Sequence, residues 1–200
     1  MARSIFFSTP MANAILSGKK TVTRQVIPAY PAASCPYGPP GRHLWLKEDF
    51  YAYGYWSSKY SELKKRTLWH FIDMTLESGQ AYQFSAPEGY ARQPRISTGP
   101  LWWYRPGRHM PRQASRIELE VTDIGSEQLQ DITDEQASAE GFYPIHDSTH
   151  VYFANHMPAP YSGLSPTAVI AFATYWQNLH KRHAWHDNPW VWVIRFRRVL

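Results

Sequence analysis

Four residues whose side chains can move protons or hold an anion crowd into one short stretch. They are Lys20, Thr21, Thr23 and Arg24, within Ile15-Leu16-Ser17-Gly18-Lys19-Lys20-Thr21-Val22-Thr23-Arg24. A Lys amine beside Thr hydroxyls can activate a nucleophile by taking its proton, as in the Ser–Lys and Thr–amine relatives of the catalytic triad. A solvated basic turn uses the same residue types, and spacing alone leaves both readings open. Strict strand alternation points Lys20, Val22 and Arg24 one way and Thr21 and Thr23 the other. A direct Lys20–Thr23 contact therefore needs a twist or bulge after Gly18.

The elements that must hold this stretch are read around it. Ser8-Thr9-Pro10 opens a helix, with a hydroxyl cap and Pro in the first turn. Met11, Ala14 and Ile15 follow at helical spacing, and Gly18 is placed to end it. Residues 26–41 hold five Pro and two Gly and read as loop. His43–Glu48 is a strand with Leu44 and Leu46 on one face. The segment 51–106 is the least periodic, with strands expected at 67–74 and 81–85 and Gly79-Gln80 as the turn between them. It reads as an elaboration of a single domain spanning 1–200, since it lacks a long apolar run of its own. Ile117, Leu119 and Val121 alternate with Glu118, Glu120 and Thr122, the clearest strand in the chain. Thr133 and Gln136 make a capping box for a short helix that ends at Gly141. Residues 142–164 read as loop. Ser165-Pro166 opens the longest helix, to about His183, with Val169, Phe172, Ala173 and Trp176 as its stripe, joined by Leu179 and His180. Residues 189–196 form a closing strand. Strands separated by short helices predict an α+β chain, a small mixed barrel rather than a doubly wound parallel sheet.

Composition bounds the partners. The 200 residues carry a net charge of +5, which suits an anionic partner such as nucleic acid. Cys35 is the single cysteine, so an intramolecular disulfide and a Cys-based zinc site are both excluded. No apolar run approaches the length of a membrane span or a signal peptide, so the expected location is the cytoplasm, with no membrane partner. His180, His183 and His186 sit three apart without an accompanying carboxylate cluster, and read as surface histidines rather than metal ligands. Cys35 reads as a plain loop thiol. Trp102-Trp103-Tyr104-Arg105 either stacks on bases or packs the core of the elaboration.

With these segments placed, the chain resembles the ASCH domain family, which shares the PUA-like β-barrel. Ile15–Arg24 resembles the family's leucine-x-glycine-basic-lysine-threonine-x-threonine signature. Gly41–Glu48 is similar to its glycine followed by a strand, and Leu129–Gly141 to its leucine, short helix and glutamate. Trp190–Phe196 fits its last strand. Phe7–Met11 and His109–Arg112 resemble the phage and prophage branch. Together these cover about half of the chain.

The resemblance implies a PUA-like mixed β-barrel with short flanking helices and a long insertion. It also implies the activity of bacterial N4-acetylcytidine amidohydrolases, which remove the acetyl group from the modified nucleoside. Carried over by motif, the catalytic trio is Lys20 as base, Thr23 as nucleophile and Glu140 as acid. Glu135 lies on the same helix, about 140° from Glu140, so both cannot face one pocket; Glu140, directly before the terminating glycine, is preferred. Arg24, Trp45 and Phe142 are the expected substrate-binding residues, with no metal and no cofactor. The substrate would be an N4-acylated cytidine or related modified nucleoside, alone or in RNA. Two other functions are weighed. One is a noncatalytic RNA or modified-base binding module, with Lys19, Lys20, Arg24, Arg42 and Arg112 as a phosphate rim. The other is a ribonuclease, for which no acidic metal cluster is evident.

Overall fold

The computed structural model describes residues 3–31, 34–92, 99–147, 150–154, 163–180 and 182–199. Among them it is a mixed α+β chain. The strands are β1 (Arg3–Phe6), β2 (Val22–Val26), β3 (His43–Lys47), β4 (Phe50–Ser61), β5 (Arg66–Asp73), β6 (Leu101–Arg105), β7 (Glu118–Gln128), β8 (Pro144–His146), β9 (Val151–Ala154), β10 (Leu164–Ser165) and β11 (Trp190–Arg198). The helices are α1 (Thr9–Leu16), α2 (Asp134–Ala139) and α3 (Ala168–Leu179). No helix among the described residues is long and apolar enough to cross a membrane.

The chain divides into two compact units, residues 1–46 with 116–200, and residues 47–115. The first is organised by a five-stranded sheet in the order β1-β3-β7-β11-β2. The segments expected at 43–48, 117–121 and 191–196 thus share one sheet. β11 is central and antiparallel to both β7 and β2, with Val193 opposite Arg24 and Ile194 opposite Thr23. Val193 and Ile194 are adjacent in β11 and both buried, because a central strand covered on two sides loses the one-face alternation.

A closed barrel is not what forms among the described residues: this sheet is open, with β1 and β2 at its edges. The chain passes from one edge to the other through α1. That helix buries Met11, Ala12, Ala14 and Ile15, as its spacing predicts. Its N-cap Ser8 makes no capping bond; its hydroxyl lies 3.1 Å from Tyr175 Oη instead. α3 starts two residues past Pro166, at Ala168, capped by Thr167, and buries Ala168, Ala171, Phe172 and Trp176. The predicted stripe is therefore rotated: Phe172 and Trp176 belong to it, but Leu179 is 53 % exposed. Of the expected loop 142–164, residues 148–149 and 155–162 lie outside the described residues, and the rest supplies β8, β9 and β10 of a small sheet.

The second unit has a three-stranded sheet, β5-β4-β6, and a small core of its own: Phe50, Ala52, Met110 and Ala114, with Phe71, Tyr82 and Phe84 against it. The expected elaboration is therefore a separate compact unit with slightly wider bounds. Strand β5 falls where 67–74 predicted it. The segment 81–85 makes only an isolated bridge, Gln83 to Tyr51, and β5 pairs with β4, joined through residues 62–65. Gly54 is required here, because a Cβ on it would stand 2.0 Å from the Ile72 carbonyl oxygen. Trp103 is core, its indole N–H donating to the Gly54 carbonyl at 3.0 Å.

Candidate active site

Lys20 is placed by two helix ends before β2 begins. Gly18, at φ +73°, turns the chain out of α1, a conformation that glycine adopts without steric cost. The Lys20 N–H then donates to the Ala14 carbonyl at 3.0 Å, the Thr21 N–H to Ala139 at the end of α2 at 2.9 Å, and the Phe196 N–H to the Thr21 carbonyl at 2.9 Å. Lys20 therefore lies outside the strand, and the alternation expected of residues 20–24 does not govern it. Thr23 and Arg24, adjacent in β2, are both buried.

Glu140 arrives from the other side. Thr133 and Gln136 form the predicted capping box. The helix runs to its C-cap Glu140, and Gly141 leaves at φ +108°. A Cβ on Gly141 would meet Ala14 Cβ and Met11 Sδ at 3.4 Å, an ordinary contact, so it is the positive φ rather than lack of space that favours glycine here. Glu140 is buried, whereas Glu135 is exposed. Of the two, Glu140 lines the cavity described below and Glu135 does not.

The two ends meet in a compact ionic cluster. Lys20 Nζ donates to Glu140 Oε2 at 2.5 Å, to the Glu140 carbonyl at 2.8 Å and to the Val22 carbonyl at 2.8 Å. Both side chains are almost wholly buried, at 2 % and 4 % exposure. Arg24 Nη1 lies 3.2 Å from Glu140 Oε1. The rest of its fork reaches Glu127 Oε1 at 2.8 and 2.6 Å, and Gln136 Oε1 at 3.0 Å. The capping-box glutamine thus serves the helix and the site at once. Burial holds the Lys20 amine below the usual lysine range; Glu140 pulls it back up, and Arg24 adds to the lowering.

Lys20, Thr23, Arg24, Glu140 and Phe142 all line one cavity of about 320 Å³. Both edge strands of the open sheet contribute to its wall, Phe6 from β1 and Thr23 to Gln25 from β2. Among the described residues, no hydrogen bond engages the Thr23 hydroxyl. Trp45, on β3 opposite Glu118, is not among the lining residues, so of the three expected substrate contacts only Arg24 and Phe142 face the cavity. Phe142 packs edge-on against Phe172 and Tyr175, with ring centroids 5.6 Å apart in each pair. At another part of the wall His180 stacks on Trp176 at 4.0 Å. Burial, and then His183, push the His180 imidazole below its ordinary value.

Sequence reasoning missed Glu127, Gln136, Tyr175 and His180 as site residues. Only Gln136 left a signal, its place in the capping box; the others depend on strand register and helix rotation. Of the cations expected in a phosphate rim, Lys20 and Arg24 are buried in ion pairs, Lys19 lies over the Tyr143 ring at 3.7 Å, Arg42 is exposed, and Arg112 belongs to the second unit. No group of three or more His, Cys, Asp or Glu among the described residues is arranged to hold a metal ion. Comparison with protein-family models, with curated proteins and with solved structures gives no match to this chain.

Proposed function

We propose that this chain is an amidohydrolase acting on an N4-acylated cytidine or a related modified nucleoside, within a PUA-like variant of the α+β fold. The observation that carries this reading is the buried Lys20–Glu140 contact on the wall of a cavity that also holds Thr23. Proton transfer across that contact turns ammonium and carboxylate into neutral amine and carboxylic acid without changing the net charge of the pocket. The neutral amine takes the Thr23 proton as the hydroxyl oxygen attacks the acyl carbon. The C–N bond breaks, and Glu140 gives its proton to the departing exocyclic amine. Amine and acid are thereby restored to ammonium and carboxylate, and the acyl group sits on Thr23. Water then attacks the ester, the same pair relays its proton to the Thr23 oxygen, and the acid product leaves. Arg24 keeps Glu140 oriented, while Phe142 and Phe172 offer an apolar wall to a planar base.

A second reading has its own support. Lys20 directs three donors at three acceptors, which is how an inert structural ammonium would be held. The chain would then be a noncatalytic pocket for a modified base. Variants separate the two. On the hydrolase reading Thr23→Ala and Lys20→Ala each abolish turnover of N4-acetylcytidine, and the double variant is no worse than either, since residues acting as one unit lose nearly everything with the first member. On the binding reading no turnover occurs, and Lys20→Ala weakens retention of the nucleoside.

A further inference from the structure

The sheet β5-β4-β6 has one face built largely of rings. Antiparallel partners share a face, so Tyr51 with Tyr104, Tyr53 with Trp102, and Tyr55 with Ile72 stand on it in consecutive rows. The opposite face holds the unit's core, with Phe50, Ala52 and Trp103 buried. The ringed face is not closed off: Tyr55 is 37 %, Ile72 39 % and Tyr104 48 % exposed. A water-facing sheet normally carries polar side chains on this side, so a row of exposed rings calls for a partner. The same face continues into Ser57 with His70, Lys59 with Leu68, and Ser61 with Arg66. Lys59, His70 and Arg66 are exposed. The unit that carries this face is also the more basic of the two. Residues 47–115 hold ten Lys and Arg against six Asp and Glu, a net +4 of the chain's +5.

We propose that this face binds single-stranded RNA, with bases stacked on Tyr55, Tyr104 and their neighbours, and backbone phosphates on Lys59 and Arg66. Stacking platforms flanked by cations bind single strands with little sequence preference, because every base has a π-face. Rows on one face are about 6.6 Å apart, twice the rise per residue, so they meet splayed bases, whereas a duplex keeps its bases inside. The Ser57–His70 row lies between rings and cations and supplies partners for a 2′-hydroxyl, the group that distinguishes RNA from DNA. This surface lies in the second unit and uses no residue of the Lys20 cavity.

The test is fluorescence anisotropy of the whole chain with a labelled RNA of about twelve nucleotides, within the range such platforms cover, beside DNA of the same sequence and the RNA duplex. Single-stranded RNA binds best. Tyr55→Ala weakens it at least about fivefold. Lys59→Ala with Arg66→Ala, both at exposed positions, flattens the salt dependence by about 1.4 in slope. Tyr55→Ala leaves hydrolysis of the free nucleoside unchanged, and RNA binding is measured without the nucleoside, so this proposal and the hydrolase reading fail separately. It is overturned by absence of RNA binding, by DNA or duplex binding as tight as single-stranded RNA, by variants that bind like the wild type, or by Tyr55-dependent self-association without RNA binding.

Discussion

Lys20 and Glu140 are more than a hundred residues apart in the chain, yet they share one buried contact. Breaking such a pair from one side leaves a buried charge without its partner and costs about 3–5 kcal/mol. Glu140→Gln is expected to lose stability in that range, because it leaves both Lys20 and Arg24 facing a neutral amide. Lys20→Met is expected to lose less, because Arg24 stays within 3.2 Å of Glu140. Urea unfolding midpoints of the two variants check the order. The same lysine sets a pH dependence. Burial lowers its pKa in the folded chain, so between that value and the ordinary lysine value of about 10.4 the unfolded chain binds more protons. The contribution of Lys20 to stability is therefore present in full above about 10.4, and is lost as pH falls through this window toward the folded value. The basic limb of hydrolysis should lie below the ordinary lysine range for the same reason. On the hydrolase reading the rate falls there, as the pair loses its one proton, and a pH–rate profile that falls only at the ordinary lysine value or above would contradict it. That Lys20 and Thr23 lie near one another could be read locally, because they sit two and five residues beyond a helix-ending glycine; their roles rest on the resemblance. Glu127 was not, because it reaches Arg24 only through the register that lays β7 and β2 on either side of β11.

The site depends on helix ends more than on strands. Gly141 adopts φ +108° beside Ala14 and Met11, a backbone conformation in which an L-residue is strained. Gly141→Ala is expected to cost roughly 1–3 kcal/mol and to lower the hydrolysis rate, since it displaces the Glu140 carbonyl and carboxylate from Lys20. Gln136→Ala removes one side of the capping box and one Arg24 partner together, so its loss should exceed the ~1 kcal/mol of an ordinary cap. Thermal melts beside rates check both. α1 and α2 could be read from caps and glycines because these are local signals. β4 could not be read from alternation, because Tyr51, Tyr53 and Tyr55 face one way while Phe50 and Trp56 face the other. Rings on both faces erase the period of two. The stripe of α3 departs from its apolar spacing because the small residues Ala168 and Ala171 are fully buried while the larger Leu179 is exposed.

The two units differ in how much core they own. The first buries a continuous cluster that runs from Ile5 and Phe7 through Leu119, Val121 and Ile194 to Phe196, whereas the second buries Phe50, Ala52, Met110 and Ala114. Local opening free energy follows such burial. Amide hydrogens of β4 and β5 should exchange sooner than those of β7 and β11, and equal protection would show that the second unit opens only with the first. That residues 47–115 form a unit was hidden in the sequence, because its core is assembled from single residues far apart rather than from an apolar run. The open sheet was hidden too, because alternation gives faces but not whether β1 and β2 meet.

Release of cytidine from N4-acetylcytidine, followed with the wild-type chain and with Thr23→Ala side by side, tests the acyl-transfer chemistry most directly. Steady release of cytidine by the wild type is expected, with none from Thr23→Ala, while the variant keeps its fold, since among the described residues no hydrogen bond is lost with the Thr23 hydroxyl. Retention of the nucleoside without turnover by the wild type, or unchanged turnover by Thr23→Ala, would contradict it.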